Sequence, residues 1–169
     1  NNNAAGTDCD LCPAGAFCST GSVAPTNCSA GTISADGADQ CSPCTGGTYQ
    51  DEEGTTVCKN CTAGNYCPDG ASTPLPCPET RYADATNNYE TGDACLPCPE
   101  GQYCTTGTIN PVDCSAGTFS TGGAAQCSAC TGGKYQSLEG QTECLDCTAG
   151  NYCPNGASTP LPCPAERYA

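Results

Sequence analysis

The chain has 169 residues, of which only 13 are Leu, Ile, Val or Phe. Ordering the chain costs about 1.5 kcal/mol of conformational entropy per residue, and the burial of so few apolar side chains cannot offset this cost. This composition excludes a conventional hydrophobic core. The net charge of −14, the four basic residues and the lack of a long apolar stretch exclude a nucleic-acid partner and membrane insertion of this segment. The 20 cysteines are therefore the expected source of stability.

Along the chain, a short pattern that opens with Cys recurs about every 16 residues. An aromatic residue stands five positions after each opening Cys, with Ile33 as the one aliphatic substitute. Gly stands three positions after eight of the ten openings, and Thr80 and Glu166 replace it in the other two. We call these segments modules 1 to 10, and they open at Cys12, Cys28, Cys44, Cys61, Cys77, Cys98, Cys114, Cys130, Cys147 and Cys163.

Each module is expected to form short strands and turns, because Gly and Pro are spread evenly and no segment has a 3.6-residue apolar period. The Gly before the aromatic residue is expected to have a positive φ or to allow close backbone approach. We also expect each module to contact only the adjacent ones. The predicted fold is a small disulfide-rich protein of β-hairpins and turns, an elongated tandem-repeat rod with a disulfide ladder and no conventional core.

A longer repeat contains the modules. Adding 86 to the number of each of the first ten cysteines gives another cysteine, and aligning 1–83 with 87–169 gives 52 identities in 83 positions. The sequence therefore predicts two cysteine-rich repeats, repeat 1 at 1–86 and repeat 2 at 87–169, with five modules each.

The simplest disulfide pairing closes each module on itself. Loops of this length contribute up to about 3 kcal/mol each in the entropic description. An interleaved pattern such as 9–18 with 12–28 is the alternative, because sequence alone does not fix connectivity. The intra-module ladder pairs Cys12 with Cys18, Cys28 with Cys41, Cys44 with Cys58, Cys61 with Cys67, Cys77 with Cys95, Cys98 with Cys104, Cys114 with Cys127, Cys130 with Cys144, and Cys147 with Cys153.

Cys9 and Cys163 remain without a partner in this ladder. They stand 86 residues from Cys95 and Cys77, which pair across the junction between the long repeats. We therefore expect inter-repeat or intermolecular disulfides at Cys9 and Cys163, in a chain that is a window of a longer array or a protomer continuing into a neighbour.

Three segments carry a family resemblance. Cys44–Cys58 and Cys130–Cys144 open with Cys-Thr-Gly-Gly-x-Tyr-Gln, and another segment begins Cys61-Thr-Ala-Gly-Asn-Tyr-Cys-Pro. They resemble the cysteine-rich repeats of the ephrin-receptor-like class, which are similar to the ladder modules of tumour-necrosis-factor receptors. Such arrays are also similar to protist (ciliate or algal) surface and flagellar-hair proteins. The resemblance implies a disulfide-laddered extracellular module.

Catalysis and metal binding are not expected. The chain has no His, the residue most often used in general acid–base catalysis, so we predict no catalytic residue and no cofactor. Cys41, Cys44, Cys58 and Cys61 have the spacing of a zinc ribbon. The same cysteines belong to the module series, however, so we expect no metal site. The acidic run 51–53 is expected to be a solvated face.

Two Asn-x-Ser/Thr sequons are glycosylation candidates, at Asn27 and Asn60, with Asp113 and Asp146 at the equivalent positions of repeat 2. For function, the sequence favours a structural segment of an extracellular or cell-surface repeat protein that builds a filament, flagellar appendage or surface coat. Its expected partners are copies of itself and glycans. The alternative is the ligand-binding or stalk ectodomain of a cell-surface receptor.

Overall fold

The computed structural model describes residues 9–84, 95–165 and 167. Within these ranges the chain forms two-residue strands joined by turns and has no helix, which confirms the predicted hairpin fold. The strands are β1 Ala16–Phe17, β2 Thr26–Asn27, β3 Thr32–Ile33, β4 Ser42–Pro43, β5 Thr48–Tyr49, β6 Lys59–Asn60, β7 Asn65–Tyr66, β8 Leu75–Pro76, β9 Arg81–Tyr82, β10 Leu96–Pro97, β11 Gln102–Tyr103, β12 Val112–Asp113, β13 Thr118–Phe119, β14 Ser128–Ala129, β15 Lys134–Tyr135, β16 Leu145–Asp146, β17 Asn151–Tyr152 and β18 Leu161–Pro162.

Consecutive strands pair into two-stranded antiparallel hairpins, one for each of modules 1 to 9. The first strand carries the aromatic residue of the module, or Ile33 in module 2, and the second strand immediately precedes the Cys that opens the next module. In module 6, for example, Gln102 lies opposite Asp113 and Tyr103 opposite Val112. The sequence spacing thus sets the register of each hairpin.

A tight turn before each first strand explains the Cys-x-x-Gly spacing. In module 1 the amide of Ala16 donates a hydrogen bond to the carbonyl of Pro13 at 3.1 Å, and Gly15 between them has a φ of +82°. A bond from residue i+3 to residue i with a positive φ at i+2 is the arrangement of a type II turn, which favours Gly. The expected positive φ at this position is confirmed.

Adjacent modules are joined by a recurring set of three backbone hydrogen bonds. Between modules 1 and 2 the donors are the amides of Gly15, Cys18 and Gly37, at 3.0, 3.0 and 2.7 Å from the carbonyls of Ser34, Ala38 and Cys12. Between modules 6 and 7 the equivalent lengths are 2.8, 2.9 and 2.8 Å, in the bonds Gly101 to Ser120, Cys104 to Ala124, and Gly123 to Cys98. The backbone of one module therefore provides the template for the next.

Modules also approach the module two places further along. A Cβ built on Gly15 would lie 2.1 Å from the carbonyl oxygen of Gly54, and one on Gly117 would lie 2.3 Å from that of Gly156. The expectation that only adjacent modules touch was wrong. The turn glycine lacks a side chain, so a backbone carbonyl 39 residues away occupies the space that a Cβ would fill.

Cystine and small residues form the buried interior, as predicted for a chain without a conventional core. Cys28, Cys77, Cys104 and Cys114 are completely buried, whereas the larger aliphatic side chains are largely exposed. Gln50 and Gln136 are buried as well. The Gln136 side chain donates to the carbonyl of Glu143 at 2.8 Å and accepts from the amide of Leu138 at 3.1 Å. These bonds satisfy the polar atoms of the buried amide group.

The described residues fall into two compact units. Unit 1 contains 9–62 and 66–75, and unit 2 contains 63–65, 76–84, 95–165 and 167. This division by spatial contact differs from the sequence boundary at 86, which marks where the 86-residue period begins again. The same hydrogen-bonding pattern runs through the modules of each unit.

Candidate functional surface

Disulfide bonds are the main covalent feature of the described residues. The structure pairs Cys12–Cys18, Cys28–Cys41, Cys44–Cys58, Cys61–Cys67, Cys77–Cys95, Cys98–Cys104, Cys114–Cys127, Cys130–Cys144 and Cys147–Cys153. These are the pairs of the intra-module ladder. The four cysteines of zinc-ribbon spacing lie in three different disulfides, and the described residues contain no cluster of three or more potential metal ligands.

Cys9 and Cys163 are free thiols in the structure. Cys9 is exposed and Cys163 is partly exposed. Their repeat counterparts, Cys95 and Cys77, are bonded to each other. The expected inter-repeat bonds therefore involve two accessible thiols whose equivalents form a disulfide elsewhere in the chain.

The two sequon asparagines occupy the same place in two hairpins. Asn27 ends β2 opposite Ala16, and Asn60 ends β6 opposite Thr48. Both asparagines are exposed. Each is followed by the buried Cys that opens the next module, Cys28 or Cys61. The candidate glycosylation sites thus lie on accessible strand ends.

The equivalent positions in repeat 2 make cross-strand polar contacts. Gln102 Nε2 donates to Asp113 Oδ1 at 2.8 Å, and Lys134 Nζ forms an ion pair with Asp146. Sequence reasoning identified both Asp residues as counterparts of the sequons but missed the donors opposite them. Comparing the residue 11 or 12 positions upstream in the two repeats would have found them, because these residues differ between the repeats as well.

The acidic run 51–53 lies beside a lysine. Lys59 Nζ is 2.5 Å from Asp51 Oδ1 and 3.4 Å from Glu52 Oε1. The hydrogen bond from Lys59 lowers the pKa of Asp51, and the same bond raises the pKa of Lys59. All three side chains are well exposed, so this is a solvated ion-pair cluster.

Half-exposed apolar pairs also lie along the hairpins. Tyr103 is partly buried opposite Val112, which is exposed, and Tyr135 has the same relation to Leu145. Such cross-strand pairs contribute roughly 0.2–1 kcal/mol each to hairpin stability. An open hollow of about 360 Å³ lies in unit 2, lined by Phe119, Thr131, Lys134, Glu143 and Cys144. It holds one basic and one acidic side chain, Lys134 and Glu143.

The family follows from a comparison with known proteins. The sequence model of the family described as "Tyrosine-protein kinase ephrin type A/B receptor-like" matches residues 31–75 and 117–163, more than half of the chain. The chain belongs to the ephrin-receptor-like family. The two matched segments begin 86 residues apart, in agreement with the internal repeat. No curated protein matches the chain.

Membership in the ephrin-receptor-like family indicates which kind of module the chain contains and where the protein is located. Cysteine-rich repeats of this family are a non-catalytic extracellular module type, and the many disulfides agree with an extracellular or secreted protein. None of the described residues belongs to a helix that could cross a bilayer.

Proposed function

We propose that this chain is a structural segment of an extracellular repeat protein that builds a filament, flagellar appendage or surface coat. The observation that carries the proposal is the recurrence of one module interface at an interval of 86 residues. The bond from Gly31 to Gln50 measures 2.6 Å, and its counterpart from Gly117 to Gln136 measures 2.7 Å. An array with repeated interfaces presents the same chemical groups periodically, which suits assembly with copies of itself.

Cys9 and Cys163 supply the covalent link in this proposal. Cys163 forms a disulfide with the cysteine that stands at the position of Cys9 in another long repeat, just as Cys77 forms one with Cys95. Both thiols are accessible to thiol–disulfide exchange, in which an oxidised disulfide-donor protein accepts the two electrons and two protons that the thiols lose as the new bond forms. The proposed disulfide follows from the repeat pattern alone. The second repeat that it joins is therefore part of the same polypeptide or of a neighbouring molecule.

Peptide mapping of the native, unreduced protein tests the link. We expect a disulfide-bonded peptide pair that joins the segment around Cys163 to the segment around Cys9, or around the cysteine equivalent to Cys9, in another long repeat. The double variant Cys9→Ser, Cys163→Ser is the matched control and should lose this pair while retaining the nine internal disulfides. A Cys9–Cys163 peptide pair from unreduced protein that has the mass of a single 169-residue chain, or free thiols at both cysteines, would overturn the covalent link.

The alternative function is the stalk or ligand-binding ectodomain of a cell-surface receptor, which the family match favours. Negative-stain electron microscopy of native material separates the two functions. Filaments with a regular repeat support the structural function, whereas dispersed single particles support the receptor function.

A further inference from the structure

The positions of Asn27 and Asn60 differ from their repeat-2 counterparts by more than the sequon itself. In repeat 2, each Asp is accompanied by a donor directly opposite it on the neighbouring strand, Gln102 for Asp113 and Lys134 for Asp146. In repeat 1 these donors are replaced by Ala16 and Thr48. Donor and acceptor have therefore changed together at both hairpins.

These replacements leave the side-chain amides of the two asparagines without a cross-strand hydrogen bond. Ala16 has no polar side-chain atom, and Thr48 uses its hydroxyl to donate to the carbonyl of Thr45 at 2.6 Å. Among the described residues, no protein group forms a hydrogen bond with the side-chain amide of Asn27 or Asn60. Both side chains are exposed on strand ends, and Asn27 lies beside Gly54, which has no side chain, so a substituent on either amide extends into solvent.

We propose that Asn27 and Asn60 carry N-linked oligosaccharides, so that repeat 1 presents two glycans where repeat 2 presents two cross-strand polar pairs. The co-reactant is an oligosaccharide linked to a lipid diphosphate. The bond from sugar C1 to the diphosphate oxygen breaks, a bond from C1 to Asn Nδ2 forms, the lipid diphosphate leaves, and one amide proton is lost. This inference requires only an extracellular destination and does not depend on filament formation.

The fold determines when this transfer takes place. The middle residues of the sequons, Cys28 and Cys61, are buried and bonded to Cys41 and Cys67. A folded module holds its sequon in a hairpin end closed by a disulfide. The transfer therefore precedes closure of the Cys28–Cys41 and Cys61–Cys67 bonds, while the segment is still extended.

Site-resolved mass spectrometry of the chain secreted from eukaryotic cells tests the proposal. Enzymatic removal of N-glycans in heavy-oxygen water labels each occupied site as a heavy Asp. We expect label at Asn27 and Asn60, loss of one glycan in Asn27→Gln or Asn60→Gln, and loss of both in the double variant. Secreted protein with all nine disulfides and neither asparagine labelled would overturn the proposal, and label at only one site would overturn it for the other.

Repeat 2 offers a matched gain-of-site control. Asp146→Asn creates a sequon with Cys147 and Thr148 at the position equivalent to Asn60, and adding Lys134→Thr reproduces the cross-strand pair of repeat 1. We expect a third glycan in both variants, because the transfer acts on the extended segment, and a smaller loss of folded stability on glycosylation in the double variant, where a small residue lies opposite the glycan. No third glycan in either variant would contradict the use of a sequon at this hairpin end, and an equal loss of stability in the two would contradict the role assigned to the opposite residue.

Discussion

Thr80 is the residue with the least favourable backbone conformation among the described non-glycine residues. It occupies the turn position that Gly holds in most other modules and has a φ of 74°. A β-branched residue in this region is strained, by about 1–2 kcal/mol. Its amide nevertheless donates a hydrogen bond to the carbonyl of Cys104 in the next module, at 2.9 Å. The turn glycines donate the equivalent bond to the module that follows them. The module interface therefore fixes the conformation despite the residue type.

We predict that Thr80→Gly stabilises the oxidised protein by about 0.5–1 kcal/mol, since relief of the strain exceeds the extra chain entropy of Gly. The free energy of unfolding in guanidinium checks this. Thr73→Gly is the control, because Thr73 is exposed and has no positive φ, and it should be destabilising by a similar amount. A loss of stability in Thr80→Gly would contradict the strain assignment.

The Asp51–Lys59 pair gives a pH-dependent prediction. Because the pKa of Asp51 is lowered in the folded state, its small contribution to stability is present above the unfolded pKa and is lost as the pH falls through the folded pKa. Lys59→Met should raise the pKa of Asp51 towards its ordinary value. NMR titration of the side-chain carboxyl carbon measures this shift, and Lys134→Met should leave it unchanged. An unaltered Asp51 titration in Lys59→Met would show that the pair is not formed in solution.

At the scale of the module, the turn glycine has two separate functions. It provides a positive φ for the turn, and it leaves space for the carbonyl of the module two places along. Gly117 and Gly133 separate these functions, because both have a φ near +86°, at 85° and 87°. A Cβ on Gly117 would meet Gly156, whereas one on Gly133 would meet no atom within 4 Å.

We predict that Gly133→Ala costs about 1–2 kcal/mol from the backbone conformation alone. Gly117→Ala should cost at least about 2 kcal/mol more, because its Cβ overlaps the carbonyl oxygen of Gly156. Thermal unfolding of the oxidised variants, followed by circular dichroism, measures the difference. Equal costs for the two variants would show that the approach between next-but-one modules contributes nothing.

At the scale of the whole molecule, stability depends on cystine. Among the described residues, the completely buried side chains of substantial size are cysteines, and large aliphatic side chains such as Val23 and Leu11 are exposed. Backbone hydrogen bonds between modules cannot hold the fold alone, because the net contribution of each is only about 1 kcal/mol. The disulfides restrict the unfolded chain and so offset the missing apolar burial.

Full reduction is therefore expected to unfold the protein, leaving no stable thiol form. Differential scanning calorimetry in strong reductant should show no cooperative transition, whereas the oxidised protein should show one. Alkylation of the reduced sample confirms that all cysteines are free. A retained cooperative transition in the fully reduced protein would contradict a fold stabilised by cystine.

Much of the local structure could be predicted from the sequence. The Cys-x-x-Gly-x-aromatic pattern predicted short strands and turns, with a positive φ or a close backbone approach at the glycine before the aromatic residue, and Gly15 has both. The composition predicted an interior without aliphatic side chains. The period of 86 residues located equivalent positions in the two repeats, including the sequons and their Asp counterparts. All of these depend on short-range geometry or on residue type.

Tertiary structure alone decided the contacts between distant segments. The sequence left two disulfide schemes open, since each cysteine has several other cysteines close enough along the chain to pair with it. It did not indicate that Gly117 meets Gly156, that Gln136 is buried, or that Lys134 faces Asp146. These contacts depend on how successive hairpins are placed by their backbone hydrogen bonds. Apart from Pro, which lacks an N–H, all residues carry the same backbone donor and acceptor, so residue type does not tell which of these groups meet.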